Sequence, residues 1–117
     1  MHEFSLAVEI AQIVEDKAAE ADLASVSGLT LALGSLAIVD RDALLFALEG
    51  ALRGGVADGA DVAIEGIAAF ARCPACGEEQ PIAERFAPCL RCGAYGLKVI
   101  AGTELKLKSI EGLCRGE

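Results

Sequence analysis

Histidine, aromatic residues and long apolar runs are all scarce in this sequence. Its 117 residues include one histidine, no tryptophan, one tyrosine and four phenylalanines, although 54% of them are hydrophobic. A hydrophobic core must therefore be built mainly from Leu, Ile, Val and Ala. No apolar run reaches the roughly 20 residues of a transmembrane helix, and Glu3 and Glu9 stand where a secretory signal would be basic. We expect a cytoplasmic protein that does not span a membrane.

Basic residues are scarce in the first 71 positions, which hold three Lys or Arg against twelve Asp or Glu. The formal net charge of the whole chain is −8. This charge opposes non-specific attraction to nucleic acid and to anionic lipid, and the acidic face is typical of a solvated surface. The sequence therefore predicts neither a nucleic-acid partner nor a membrane partner.

Hydrophobic periodicity predicts two helices and three strands. Residues 5–21 place Leu6, Ile10, Ile13, Val14 and Ala18 at helical spacing. A second helix is predicted to begin after Asp40, an acceptable N-cap, and to end at the glycine pair 54–55. Alternating apolar residues predict strands over 29–33, 61–67 and 103–110.

This order of elements predicts an α/β (α+β) fold with two helices on a three-stranded sheet. Between the second and third strands lies an insert that contains four of the five cysteines. We therefore expect a discontinuous α/β domain of residues 1–70 and 99–117 and an inserted domain of residues 71–98.

The insert has the pattern C-x2-C-x12-C-x2-C, and a glycine directly follows each cysteine pair, at Gly77 and Gly93. Two turns of this kind can close on one tetrahedral ion, and glycine permits the positive φ that such a turn needs. Four thiolates leave no free position for a substrate, so the predicted zinc ribbon is structural. The predicted zinc ligands are Cys73, Cys76, Cys89 and Cys92.

Two other classes of protein use similar cysteines. A thiol oxidoreductase would need a metal-free CxxC, commonly at a helix start, whereas both pairs here lie in loop-like sequence. A nucleic-acid-binding ribbon would show a basic stripe with aromatic residues, whereas this insert is nearly neutral and offers little beyond Phe86 and Tyr95. Cys114 has no partner in the sequence, and we assign it no role.

The single histidine, His2, directly follows Met1. The α-amine of Met1, the backbone nitrogen and imidazole of His2, and the next backbone nitrogen can surround one ion in a plane. Square-planar nitrogen coordination suits Ni(II) and Cu(II).

The "MHE-x-S" start, the α/β frame, the four-cysteine insert and the closing "GTELKLKSIE" together resemble the HypA-type nickel metallochaperones that mature [NiFe] hydrogenase. The resemblance spans essentially the whole chain. It implies that Met1, His2 and Glu3 form the nickel site, with Glu3 giving its backbone nitrogen or its carboxylate. Asp40 corresponds to an additional acidic nickel ligand of some members, although a capping role explains it equally well.

The resemblance further implies a carrier and not an enzyme. Such a carrier accepts Ni²⁺ from a nucleotide-hydrolysing chaperone, a GTPase or ATPase, and releases it into the hydrogenase large subunit. Structural Zn²⁺ in the ribbon would position the amino terminus or support a partner contact. The alternative is a zinc-ribbon adaptor that binds protein or nucleic acid and has no nickel function.

Overall fold

The computed structural model describes residues 2–115, which form two helices and six strands. The helices are α1 (His2–Glu20) and α2 (Arg41–Leu52). The strands are β1 (Leu23–Gly34), β2 (Asp61–Ile67), β3 (Phe70–Arg72), β4 (Glu79–Pro81), β5 (Lys98–Ala101) and β6 (Leu105–Cys114). Within these residues, no helix is both long enough and apolar enough to cross a membrane.

Helix α1 begins three residues earlier than predicted, at His2. Its buried stripe consists of Ala7, Ile10, Val14 and Ala18. The expectation that Ile13 faces inward is wrong, because 41% of this residue is exposed. At 3.6 residues per turn, its side chain points roughly 100° away from the middle of that stripe.

Strand β1 is much longer than the predicted 29–33. Leu29 and Leu31 are buried as expected, whereas Leu33 is half-buried. The first half of the strand is rich in serine and glycine, which have weak β propensity. It is recognisable as a strand only from its hydrogen bonds to the neighbouring strands. Contacts of Ser27 Oγ with Glu111 O (3.4 Å) and of Arg115 N with Asp22 O (2.7 Å) set β6 antiparallel to β1.

Helix α2 begins as predicted. Asp40 is its N-cap, and the Oδ1 atom of Asp40 accepts the backbone N–H of Ala43 at 3.0 Å. Leu44, Leu48 and Leu52 form the buried face of the helix. Helix α2 packs against α1.

The first sheet has the strand order β2-β1-β6. Strand β2 has the predicted bounds, and Val62 and Ile64 are half-buried between exposed neighbours. In β6 the predicted alternation is also present, because Leu105 and Leu107 are half-buried while the intervening lysine is exposed. The strand continues to Cys114, beyond the predicted end.

A second sheet of order β4-β3-β5 was not predicted. Ala71 in β3 pairs antiparallel with Gln80 in β4 and with Val99 in β5. These strands have three or four residues, which is too short for a recognisable alternation of apolar and polar residues. The buried cluster of this region includes two of the cysteines and consists of Ala71, Cys73, Cys89 and Leu97.

The chain divides into two compact units. One contains the residues up to Leu31, Val39–Ile64 and the residues from Lys106 onward; the other contains Ala32–Ile38 and Glu65–Leu105. The first unit holds both helices, and its core is aliphatic. The second holds the four cysteines and the short-stranded sheet. The division expected from the sequence, into a domain of residues 1–70 and 99–117 and an inserted domain of residues 71–98, stays a prediction.

Candidate metal centre and amino-terminal site

Each CxxCG segment forms the same turn. In the first, the N–H of Gly77 donates to Cys73 O at 2.8 Å, and the N–H of Cys73 donates to Glu78 O at 3.0 Å. The second turn repeats these two bonds at 2.9 and 2.8 Å with Cys89, Gly93 and Ala94. Both glycines have φ = +77°, as the sequence predicted. The repeated geometry directs two pairs of thiols toward each other.

The four sulfur atoms form one cluster. Cys73 Sγ and Cys92 Sγ are 3.6 Å apart, Cys76 Sγ and Cys89 Sγ are 3.7 Å apart, and all four lie within 4.8 Å of one another. Four thiolates around zinc at about 2.3 Å would be separated by about 3.8 Å. A disulfide would instead require sulfurs at about 2.0 Å. The four-cysteine cluster therefore fits a zinc site.

Hydrogen bonds favour the thiolate form of Cys89. Its sulfur accepts the backbone N–H groups of Cys92 (3.4 Å) and Arg91 (3.3 Å) and the side-chain amide of Gln80 (3.2 Å). The bond from Cys92 and then that from Gln80 are the main reasons that the pKa of Cys89 falls to about 6. The same hydrogen bonds therefore favour the charged thiolate of Cys89, which is the form that binds a metal cation.

The sulfurs of the remaining thiols hydrogen-bond to neighbouring sulfurs of the cluster. The backbone N–H of Cys76 is the main cause that lowers the pKa of Cys73. The N–H of Glu78 lowers the pKa of Cys76, but burial and the adjacent thiols of Cys73 and Cys89 outweigh it and raise the value to about 11. Binding of a divalent cation by four thiolates must therefore release protons.

Sequence reasoning missed Gln80, which lies in β4 and is 3% exposed. Its Nε2 donates to the sulfur of Cys89, and its Oε1 accepts the backbone N–H of Leu90 at 2.7 Å. Gln80 follows two glutamates and precedes a proline. Nothing in that segment distinguishes the one polar side chain that turns inward.

The predicted nickel residues lie at the start of α1. His2 is the first residue of the helix and is exposed, and Glu3 is half-buried. The Oε2 atom of Glu3 accepts the backbone N–H of Asp40 at 3.1 Å. This bond is the main cause that lowers the pKa of Glu3 below its ordinary 4.5. Met1, the other predicted ligand, lies outside the described residues.

Among residues 2–115, the four cysteines form the only group of three or more His, Cys, Asp or Glu side chains that converge as metal ligands. Cys114 is exposed at the end of β6 and does not belong to the cluster.

Comparison with known proteins agrees with this architecture. A family profile described as "Hydrogenase/urease nickel incorporation, metallochaperone, hypA" matches residues 1–112. The hydrogenase maturation factor HypA of Albidiferax ferrireducens is 40% identical over 111 residues, which cover 95% of this chain and 98% of that protein. HypA of an Azoarcus species is 42% identical over 110 residues, covering 94% and 96%.

The fold also matches a solved structure. The solution structure of the nickel metallochaperone HypA from Helicobacter pylori aligns with a TM-score of 0.76, at 20% identity and over 97% of this chain and 98% of that one. The resemblance found in the sequence is confirmed. The chain belongs to the HypA family of nickel metallochaperones for hydrogenase maturation.

Proposed function

We propose that this chain binds Ni(II) through Met1, His2 and Glu3 and releases it into the large subunit of [NiFe] hydrogenase. The observation that carries this proposal is the exposed position of His2 as the first residue of α1. A cargo site must be reached by the ligands of the acceptor, and an exposed helix start allows them to replace the chelating groups one at a time.

The helix start also supports the use of main-chain nitrogens. The first four N–H groups of an α-helix have no acceptor within the helix. The backbone nitrogens of His2 and Glu3 can therefore exchange a proton for nickel without breaking a helical hydrogen bond. Together with the α-amine of Met1 and the imidazole of His2, they supply the four nitrogens of a square plane, which suits Ni(II).

The contact between Glu3 and Asp40 bears on which group of Glu3 is the ligand. The carboxylate of Glu3 already accepts the backbone N–H of Asp40. The carboxylate also accepts the backbone N–H of Glu3 itself. A nickel ion on that backbone nitrogen would replace this short local bond and leave the contact with Asp40, by which the carboxylate holds the two helix starts together. Asp40 uses Oδ1 to cap α2, and its role as an additional nickel ligand stays a prediction.

The cysteine cluster is proposed to hold structural Zn²⁺. Zinc supplies a tetrahedral crosslink between the two turns, and four thiolates leave no position for a substrate. Cys73 and Cys89 are buried in the small core of their unit, so they contribute both to packing and to ligation. We accordingly propose that the chain is a carrier without a catalytic residue.

The partners follow from this role. A nucleotide-hydrolysing chaperone, a GTPase or ATPase, would donate nickel, and the hydrogenase large subunit would accept it. Nucleic acid and membrane are not proposed as partners, given the net charge of −8. The cytoplasmic location stays a prediction.

Nickel titration of the wild-type protein and of His2→Ala, with zinc measured in the same samples, tests the proposal. We expect one Ni(II) per wild-type chain, loss of tight nickel binding in His2→Ala, and equal zinc in both. Glu9→Gln, an exposed change on the same helix, is the matched control and should bind nickel as the wild type does. Equal nickel affinity in all three proteins would contradict the proposed site.

A further inference from the structure

The two halves of the cysteine cluster are built differently despite their matched turns. The backbone N–H groups of residues 75 and 76 donate to the sulfur of Cys73. Those of residues 91 and 92 donate to the sulfur of Cys89 at the equivalent positions. Among the four described sulfurs, only that of Cys89 has a side-chain donor from outside the cluster, because the Nε2 of Gln80 lies 3.2 Å from it.

The difference extends to the residue after each first cysteine. In the second turn this residue is Leu90, whose N–H donates to Gln80 Oε1 at 2.7 Å. In the first turn it is Pro74, which has no N–H to donate. The same side chain therefore holds both the sulfur of Cys89 and the backbone that follows it, and the first turn cannot form the corresponding backbone bond.

The orientation of the Gln80 amide is fixed by its partners. The backbone N–H of Leu90 can only donate, so it must face the amide oxygen, and the amide nitrogen then faces the sulfur. With 3% of Gln80 exposed, water competes little for either bond. Among the described residues, Gln80 is the one polar or charged residue in the buried core.

We infer that Gln80 is a positioning residue that keeps the Cys89–Cys92 half of the zinc site formed, so that the Cys73–Cys76 half opens first when the ion leaves. This inference uses the zinc site of the proposed function and is independent of its nickel site. Groups that hydrogen-bond to metal ligands commonly change metal affinity by about tenfold to a hundredfold.

The order of thiol exposure in the wild-type protein tests the inference directly. The zinc-loaded protein is treated with a chelator and a large excess of a fast alkylating reagent, so that opening of the site and not thiol reactivity limits labelling. The labelled cysteines are identified by mass spectrometry at successive times. Cys73 and Cys89 are the appropriate pair to compare, because both are buried and both are the first cysteine of a turn. We expect Cys73 to be labelled before Cys89. Labelling of Cys89 at the same time or earlier would overturn the inference.

Substitution of Gln80 provides the second test. Gln80→Met keeps an unbranched side chain of similar length but removes both bonds, and Glu84→Gln, an exposed change in the same unit, is the control. We expect Gln80→Met to lose zinc to the chelator about tenfold faster than the control, with Cys89 now labelled as early as Cys73. Zinc release and labelling order equal to those of the control would overturn the inference.

Cobalt substitution separates positioning from general stability. Loss of an N–H donor makes a thiolate a stronger electron donor, so the sulfur-to-cobalt charge-transfer band of Gln80→Met should move to lower energy. A merely structural role would change cobalt affinity and leave the band in place, which would overturn the inference. If Gln80→Met takes up no metal, the wild-type labelling order decides, since that measurement needs no variant.

Discussion

The carboxylate of Glu3 accepts the backbone N–H of Asp40 at 3.1 Å, although the two residues are 37 positions apart. This bond joins the first turn of α1 to the N-cap of α2. The contact therefore holds the start of α1, where the proposed nickel ligands lie, against the start of α2. The amide proton of Asp40 can be followed by NMR to detect this contact.

The amide proton of Asp40 should report the ionisation of Glu3. The pKa of Glu3 is lowered from 4.5, chiefly by this N–H, so the ionised carboxylate is the form favoured by folding. The stability from the bond is present above the unfolded pKa and is lost as the pH falls through the folded pKa. In NMR spectra recorded on acidification, the Asp40 amide should shift with a midpoint below pH 4.5. Glu3→Gln should remove the contribution of Glu3 to this shift, and a midpoint above 4.5 for that contribution would contradict the assignment.

Capping by Asp40 predicts different results for two substitutions. Asp40→Ala removes the acceptor of the Ala43 N–H and should lower the free energy of unfolding by about 1 kcal/mol. Asp40→Asn keeps an equally good cap and should leave stability nearly unchanged. Chemical denaturation measures both. Nickel affinity measured on the stable Asp40→Asn protein then shows whether the carboxylate also contributes to nickel binding.

The zinc site predicts that a ribbon cysteine and Cys114 respond differently to the same substitution. The purified protein should contain one zinc, and Cys73→Ser should lose it and unfold the ribbon, because zinc binding in small peptides contributes on the order of 10 kcal/mol. The helices should largely survive in circular dichroism. Cys114→Ser should retain full zinc, since Cys114 does not belong to the cluster. Iron, or no metal after expression with adequate zinc, would contradict the zinc assignment.

Two glycines should respond in opposite directions to replacement by alanine. Gly50 lies inside α2, and an added methyl group there meets nothing within 4 Å, so Gly50→Ala should stabilise the protein by about 0.5–1 kcal/mol. Gly77 is equally open but has φ = +77°, so Gly77→Ala should destabilise its turn by about 1 kcal/mol. Thermal and chemical unfolding compare them. Equal effects would show that helix propensity and backbone strain do not govern these positions.

Local patterns in the sequence were sufficient to predict much of the structure. The cap at Asp40, the strand 61–67 and both CxxCG turns each depend on a few neighbouring residues, whose chemistry restricts the backbone. The pattern of four cysteines predicted a cluster because two turns that each offer a pair of thiolates can close on one tetrahedral ion.

Long-range pairing was not predictable from the same patterns. The first half of β1 has a weak local preference for a strand, and the three strands of the second sheet are too short for a recognisable pattern, so pairing with their neighbours defines them. The inward position of Gln80 and its bond to Cys89 likewise require the fold to be known. The contact of Glu3 with Asp40 has no sequence signal, because acidic residues are common in the first turn of a helix, where they interact favourably with the helix dipole.

The α-amine of Met1 is the part of the proposed nickel site that can be removed without changing any side chain. Acetylation of the amine, or an extension of several residues, takes this ligand away from His2 and leaves the zinc cysteines untouched. A single added residue would be a poor test, because histidine at position three completes another square-planar chelate with the amine and two amides.

We expect the acetylated or extended protein to lose high-affinity nickel binding and hydrogenase maturation, as His2→Ala does. Zinc content and thermal stability should stay nearly unchanged, because neither the helical core nor the cysteine cluster involves the amine. Protons compete with nickel for the amine and the imidazole, so wild-type affinity should also fall on acidification. If the blocked protein takes up stoichiometric nickel with native affinity, the amine is not a ligand, and Asp40 and the cysteines become the candidates to test.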